Sequence, residues 1–214
     1  MSIFRAILEF FFGITNNWGW SIIILTVLIK LILFPTTIKQ FKVMAKMKDL
    51  QPKLKEIQDK YKDKPEEYQR RTMELYKNAN VNPLSGCLPM LIQLPILILF
   101  YNALQDPKYV AEVIKDASFY GIILKENHNL ALAVVSAVTT FLQSKLTTPA
   151  AGGDSQQQTF LYIMPLMIGY FTWQINSGVG LYWVTSNIIG IFQQYLINEY
   201  IIVKKHREHQ TDQA

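Results

Sequence analysis

Residues 18–34 read WGWSIIILTVLIKLILF, and the reading of this run decides the fold. It is almost wholly apolar and long enough to form most of a membrane span. One residue breaks it, Lys30. At about 1.5 Å of rise per residue, Lys30 lies roughly 18 Å beyond Trp18 and roughly 13 Å before Lys39, which is inside the hydrocarbon. An ammonium at such depth costs about 2.5–3.5 kcal/mol on insertion scales. Snorkelling toward the near interface is one remedy. Geometry opposes it. Helical side chains lean toward their own N-terminus, so with Lys39 at the cytoplasmic end Lys30 leans deeper. The other remedy is a wet, protein-walled cavity. Thr26 lies one turn earlier and Thr37 two turns later on the same face, and this is the reading the sequence favours.

On the N-terminal side, residues 2–16 read SIFRAILEFFFGITN. Arg5 and Glu9 share one face while Ile3, Phe4, Ile7, Leu8, Phe11 and Phe12 cover much of the rest. The pattern predicts an interfacial amphipathic helix over residues 1–17. A signal peptide fits less well, given one basic residue, Glu9 and no small-residue cleavage site. The first span is expected over 18–38, with Pro35 bending it.

On the C-terminal side, residues 39–82 are polar, with twelve Lys or Arg against seven Asp or Glu. Leu54, Ile57 and Tyr61 form one stripe; Tyr68, Thr72 and Leu75 or Tyr76 form another. Pro52 and Pro65 suit first helical turns and Asp63-Lys64-Pro65 suits a turn. An antiparallel helical hairpin projecting into the cytoplasm follows.

Further spans are expected at 83–105, 130–146, 159–175 and 179–203. Pro89 and Pro95 kink the second span, and Cys87 is expected to pack in it. Residues 106–129 form an outer loop with short helical or interfacial pieces at 109–114 and 119–124. Residues 147–158 form a flexible cytoplasmic loop, Asn176-Ser177-Gly178 a tight turn, and 204–214 a basic cytoplasmic tail. Five spans put the basic clusters on one side, with the N-terminus out and the C-terminus in. The fold class is thus an all-α integral membrane protein. Each span carries polar residues in its body: Thr26 and Lys30, Gln93, Thr140 and Gln143, Thr172, and Asn187 and Gln193. In lipid such groups need partners or water, so they are expected to face one another around a polar groove.

The net charge of +5 would suit nucleic acid, but the basic residues flank apolar spans, so no nucleic-acid specificity is expected. The single cysteine excludes an internal disulfide, and the three scattered histidines argue against a metal site. No cofactor motif, no nucleophile elbow and no internal repeat are visible. Ser136 and Ser186 have no evident base, which argues against an intramembrane enzyme. A small anion transporter or channel, with Lys30 binding the anion, is the alternative; the missing inverted repeat weakens it.

Three segments carry a resemblance. LTVLIKLILFPTTIKQ, NPLSGCLPMLIQLPILILFYNAL and GVGLYWVTSNIIGIFQQYLIN resemble the first-span, second-span and last-span motifs of the YidC/Oxa/Alb family of membrane protein insertases, in family order. The family's bacterial members usually carry Arg where Lys30 stands; Lys keeps the charge but not the planar five-donor fork. The resemblance implies a non-enzymatic insertase and chaperone in the bacterial cell membrane, alone or with the Sec translocon. Its partners would be nascent membrane proteins, the lipid bilayer, and ribosomes and targeting factors meeting the hairpin and tail. It implies a cytoplasm-open groove with Lys30 as its charge, Thr26 one turn before, Gln143 from the third span and Trp183 from the last. Gln93 and Asn187 join them on the residue reading alone.

Overall fold

The computed structural model describes residues 2–82, 88–106, 108–109, 114, 117–147 and 155–211, without the side chains of 2, 88–90, 147, 155–160 and 200–211. The expectations for residues 83–87, including Cys87, for the Pro89 side chain, for residues 148–154 and for the side chains of the basic tail lie outside the described residues.

Nine helices are described. Helix α1 (Ser2–Thr15) ends at Asn16, which takes a left-handed φ of 49°. Asn17 then caps α2 (Trp18–Ile32), its side chain accepting from the amides of Gly19 and Trp20. Helix α3 (Phe34–Asp49) leaves α2 at 62° across Leu33. Pro35 sits in the first turn of α3. It has no N–H to offer the Leu31 carbonyl, which loosens the helix ladder where the chain bends. A second break at Leu50 leads to α4 (Gln51–Lys60), and Pro65 opens α5 (Pro65–Asn78), completing the hairpin. Neither α4 nor α5 has a fully buried residue. Glu67 binds Arg70 at 2.7 Å and Arg71 at 3.1 Å. These guanidiniums hold its carboxyl below the ordinary range, though such exposed pairs contribute little stability.

Helix α6 (Leu88–Leu104) contains Pro95. The piece at 119–124, expected as helical or interfacial, is not helical: it holds most of a two-stranded antiparallel ribbon, β1 (Ser118–Phe119) with β2 (Ile122–Ile123). Its turn residues Tyr120 and Gly121 both have positive φ, 48° and 84°. That geometry matches the twist of a tight hairpin and interrupts any helix. Helices α7 (Leu130–Thr147), α8 (Ser155–Gln174) and α9 (Ser177–Thr211) follow. Helix α9 continues past residue 204 to Thr211, with no Gly or Pro after Gly190 to interrupt it.

By length and composition, no single helix among the described residues is apolar and long enough to cross a membrane; α2 and α3 together pass as a bent pair. Helix α8 approaches α7 closely at Gly169, where an added Cβ would sit 3.0 Å from that of Ala137.

The apolar core gathers at one end of the bundle. Leu8 of α1, Trp18, Ile22 and Leu25 of α2, Phe100 and Leu104 of α6, Phe119 and Leu124, and Val179 and Tyr182 of α9 are all buried there. Phe100 stacks on Tyr182 at 4.0 Å and Phe12 on Trp18 at 4.4 Å. Residues 117–128 strap this end. The Phe119 ring lies against Gly19, where a Cβ would meet it at 2.2 Å. The amides of Ser177 and Gly178 donate to the carbonyls of Glu126 and Leu124 at 2.8 and 2.9 Å. Arg5 ties α1 to the same end through Asp106 at 2.6 Å, its guanidinium 4.7 Å from the Tyr109 ring centre.

Candidate functional site: a polar cluster around Lys30

Lys30 stands in the last turn of α2, where its charge also suits the partial negative charge of the helix end. Its Nζ donates to Gln93 Oε1 of α6 at 3.4 Å. The amine therefore points into the bundle. Gln93 is the hub of this group. Its Oε1 also accepts from Ser186 Oγ at 3.4 Å, and its Nε2 donates to the Tyr182 hydroxyl. Gln193 of α9 reaches back to donate to the Lys30 carbonyl at 3.3 Å. Three helices thus converge on one side chain that each of them alone leaves stranded.

A second group joins α7 to α9. Trp183 Nε1 donates to Thr140 Oγ1 at 3.0 Å. Asn187, with its amide nitrogen facing Gln143, donates to Gln143 Oε1 at 2.7 Å and accepts from Thr140 Oγ1 at 2.8 Å. Thr139 Oγ1 lies 3.1 Å from the same amide. Gly190 makes room for Gln143: a Cβ there would sit 2.4 Å from Gln143 Nε2.

Of the six residues expected to share a groove, Lys30 and Gln93 meet directly, and Trp183, Asn187 and Gln143 meet around Thr140. Both groups hang on α9, which supplies Tyr182 and Ser186 to one, Trp183 and Asn187 to the other. Thr26 joins neither. It is 1% exposed and its hydroxyl donates to its own helix at Ile22 O, 2.6 Å away. Tyr182 was the residue that sequence reasoning passed over. A tyrosine inside an apolar run needs a partner for its hydroxyl, and it lies one turn before Ser186, so the signal was there.

The cluster holds amides, hydroxyls and one ammonium. Ser136 Oγ is spent on Ala133 O at 2.9 Å, and Ser186 on Gln93. Among the described residues no group of three or more His, Cys, Asp or Glu could hold a metal. What these groups can do is hydrogen-bond water or peptide and present positive charge. Outside the bundle, Arg5 and the amides of Tyr109 and Lys108 hold the Asp106 carboxyl below the usual carboxylate range. Burial, then the nearby Glu9 carboxylate, pushes the Tyr109 hydroxyl above the usual phenolic range.

Residues 10–205 match the family described as 60Kd inner membrane protein. The membrane protein insertase YidC of Cupriavidus pinatubonensis is 40% identical over 200 residues, covering 90% of this chain and 34% of that protein. The insertase of the same name from Fusobacterium nucleatum is 39% identical over 201 residues, covering 92% of this chain and 95% of that one. The chain thus spans about a third of the first relative's length and nearly all of the second's. A crystal structure described as an active YidC insertase with its first transmembrane domain resolved matches with a TM-score of 0.74 at 32% identity, over 91% of this chain and 46% of that one.

Proposed function

The chain belongs to the 60Kd inner membrane protein family, and from that premise we propose that it is a membrane protein insertase of the bacterial cell membrane. In this reading five spans, at 18–38, 83–105, 130–146, 159–175 and 179–203, carry the chain across the bilayer, with the hairpin and C-terminus cytoplasmic. An incoming polypeptide moves a short polar segment partway across while its apolar span enters lipid. Hydrated polar groups shorten the hydrocarbon path for that segment. Lys30 attracts acidic residues in it through a Coulomb term that partial burial strengthens. The apolar span then leaves along the lipid-facing helices, stabilised by burial in hydrocarbon. No nucleotide or covalent step is needed. Nascent chains, ribosomes and targeting factors meet the hairpin and tail, and the Sec translocon is a further partner.

The observation that carries this reading is the direction of the Lys30 amine, 3.4 Å from Gln93 Oε1 instead of outward. The distribution of polarity supports it too. The apolar core and the strap of residues 117–128 fill the end bearing the outer loop. Polar side chains follow it along α9 toward the opposite end, from Ser186 and Asn187 to Gln193. In this reading water reaches these buried side chains from the cytoplasmic end.

The test is insertion by purified protein in vesicles. Lys30→Arg should preserve insertion of a substrate with an acidic translocated segment. Lys30→Ala and Lys30→Glu should lower it severalfold, and spare a substrate whose translocated segment is neutral. Equal insertion by all variants would defeat the field mechanism.

A further inference from the structure

Helix α3 carries a feature that the polar cluster does not use. Lys39, Lys42 and Lys46 are exposed, and none has an ion-pair partner among the described residues. At 100° per residue the three fall within an arc of about 60°. Gln40 and Phe41, the two buried residues of α3, lie about opposite that stripe. Gln40 and Phe41 are therefore packed on the bundle, and the opposite side carries a row of ammonium groups without ion-pair partners among the described residues. Lys48 is also exposed, but it lies on the arc of Gln40 and Phe41 and is not part of the row. The helix's one acidic residue, Asp49, ends it on the lysine side, three residues after Lys46.

The 62° bend sets the range of depth that this row spans. Were α2 to continue straight along the membrane normal, Lys39 and Lys46 would differ in depth by about 10 Å. Bent, they differ by about 5 Å, so all three ammonium groups fit one layer of headgroups. Depth agrees. The 15 residues of α2 cover about 22 Å, and the first turns of α3 add only a few ångströms before Lys39. That brings the row close to the inner edge of a hydrocarbon core of about 30 Å.

We propose that the Lys39, Lys42 and Lys46 face of α3 is a binding surface for anionic lipid headgroups of the cytoplasmic leaflet. It rests on the membrane-spanning reading above. The surface holds the start of the hairpin down on the membrane, beside the level of the polar cluster. Ribosomal RNA also presents phosphates, but a row lying along the headgroup layer meets lipid first. Each basic residue beside an anionic surface strengthens association by about fivefold.

The test uses the full chain in phosphatidylcholine vesicles containing spin-labelled phosphatidylglycerol or spin-labelled phosphatidylcholine. Electron paramagnetic resonance reads the fraction of each lipid restricted at the protein surface. The expected ratio favours phosphatidylglycerol by about two- to fivefold. The K39Q/K42Q/K46Q variant should bring it to one with helix content and restricted phosphatidylcholine unchanged. The K53Q/K55Q/K60Q variant, equal in charge but on α4, should keep it. Retention of the ratio in the α3 variant, or equal loss in the α4 variant, overturns the inference. So does weaker ribosome binding by the α3 variant with its lipid ratio intact. Restriction of neither lipid overturns the membrane-spanning reading itself, a result distinct from those.

Discussion

Lys30 and Gln93 show how one side chain's problem becomes another's role. A buried ammonium needs acceptors, and Gln93 supplies one while its own amide is completed by Tyr182 and Ser186. Replacing Gln93 by Leu strips that acceptor from the charge and leaves the Tyr182 hydroxyl without its donor. The expected cost is about 1–3 kcal/mol, read as a lower midpoint of unfolding in SDS–detergent mixtures. No change in midpoint would remove Gln93 from its central position. Gly190 is a quieter case. A methyl there meets the flexible end of Gln143, so Gly190→Ala should fold and simply swing that amide away from Asn187. Its insertion defect should match that of Gln143→Ala, and the double variant should be no worse than either, since both act on one contact. Additive defects would mean that the two residues work separately. The sequence made Lys30 conspicuous by its cost in lipid. It gave Gln143 no address, because a polar residue on an apolar helix does not name the glycine opposite.

Among the elements, the joint between α2 and α3 is the one that a single residue governs. Pro35 withdraws an N–H from the helix ladder, and the chain turns by 62°. Pro35→Ala restores a donor for the Leu31 carbonyl. Spin labels on α2 and α3 should then move apart by several ångströms in pulsed electron resonance; an unchanged distance would show that packing of Phe41 and Gln40, not Pro35, holds the bend. This joint was legible beforehand, because proline acts through its own covalent structure. The ribbon at β1 and β2 was not. Phe119 to Leu124 has a composition that suits helix or strand, and the choice came from the Phe119 ring closing on Gly19, about a hundred positions away in the chain.

At the scale of the whole molecule, α1 is held by few polar ties. Arg5 binds Asp106 at 2.6 Å and the Asn102 carbonyl at 3.3 Å. The Asp106 carboxyl is held below its ordinary value of 3.8, first by Arg5 and then by backbone amides. A depressed carboxylate contributes docking above its unfolded value, and that contribution disappears as pH falls through the folded one. Docking of α1 should thus be constant from pH 7 to pH 5 and weaken only below the ordinary carboxylate range. Asp106→Asn should weaken it at every pH. Hydrogen exchange of the α1 amides, corrected for intrinsic rates, reads both; faster exchange already at pH 5 would contradict this account. The division of labour between sequence and tertiary structure follows from range. Helix positions, the proline joint, the Asn17 cap, the helix start at Pro65 and the strangeness of Lys30 are local, set by backbone sterics and by the cost of charge in hydrocarbon. The family motifs are equally local strings. Which polar residues meet depends on how helices rotate against one another, and that is fixed by close approaches such as Gly169 on Ala137 and Phe100 on Tyr182. Only the packed bundle could turn Thr26 back onto its own helix, bring Tyr182 to Gln93, and gather polar side chains into two hydrogen-bonded groups on α9.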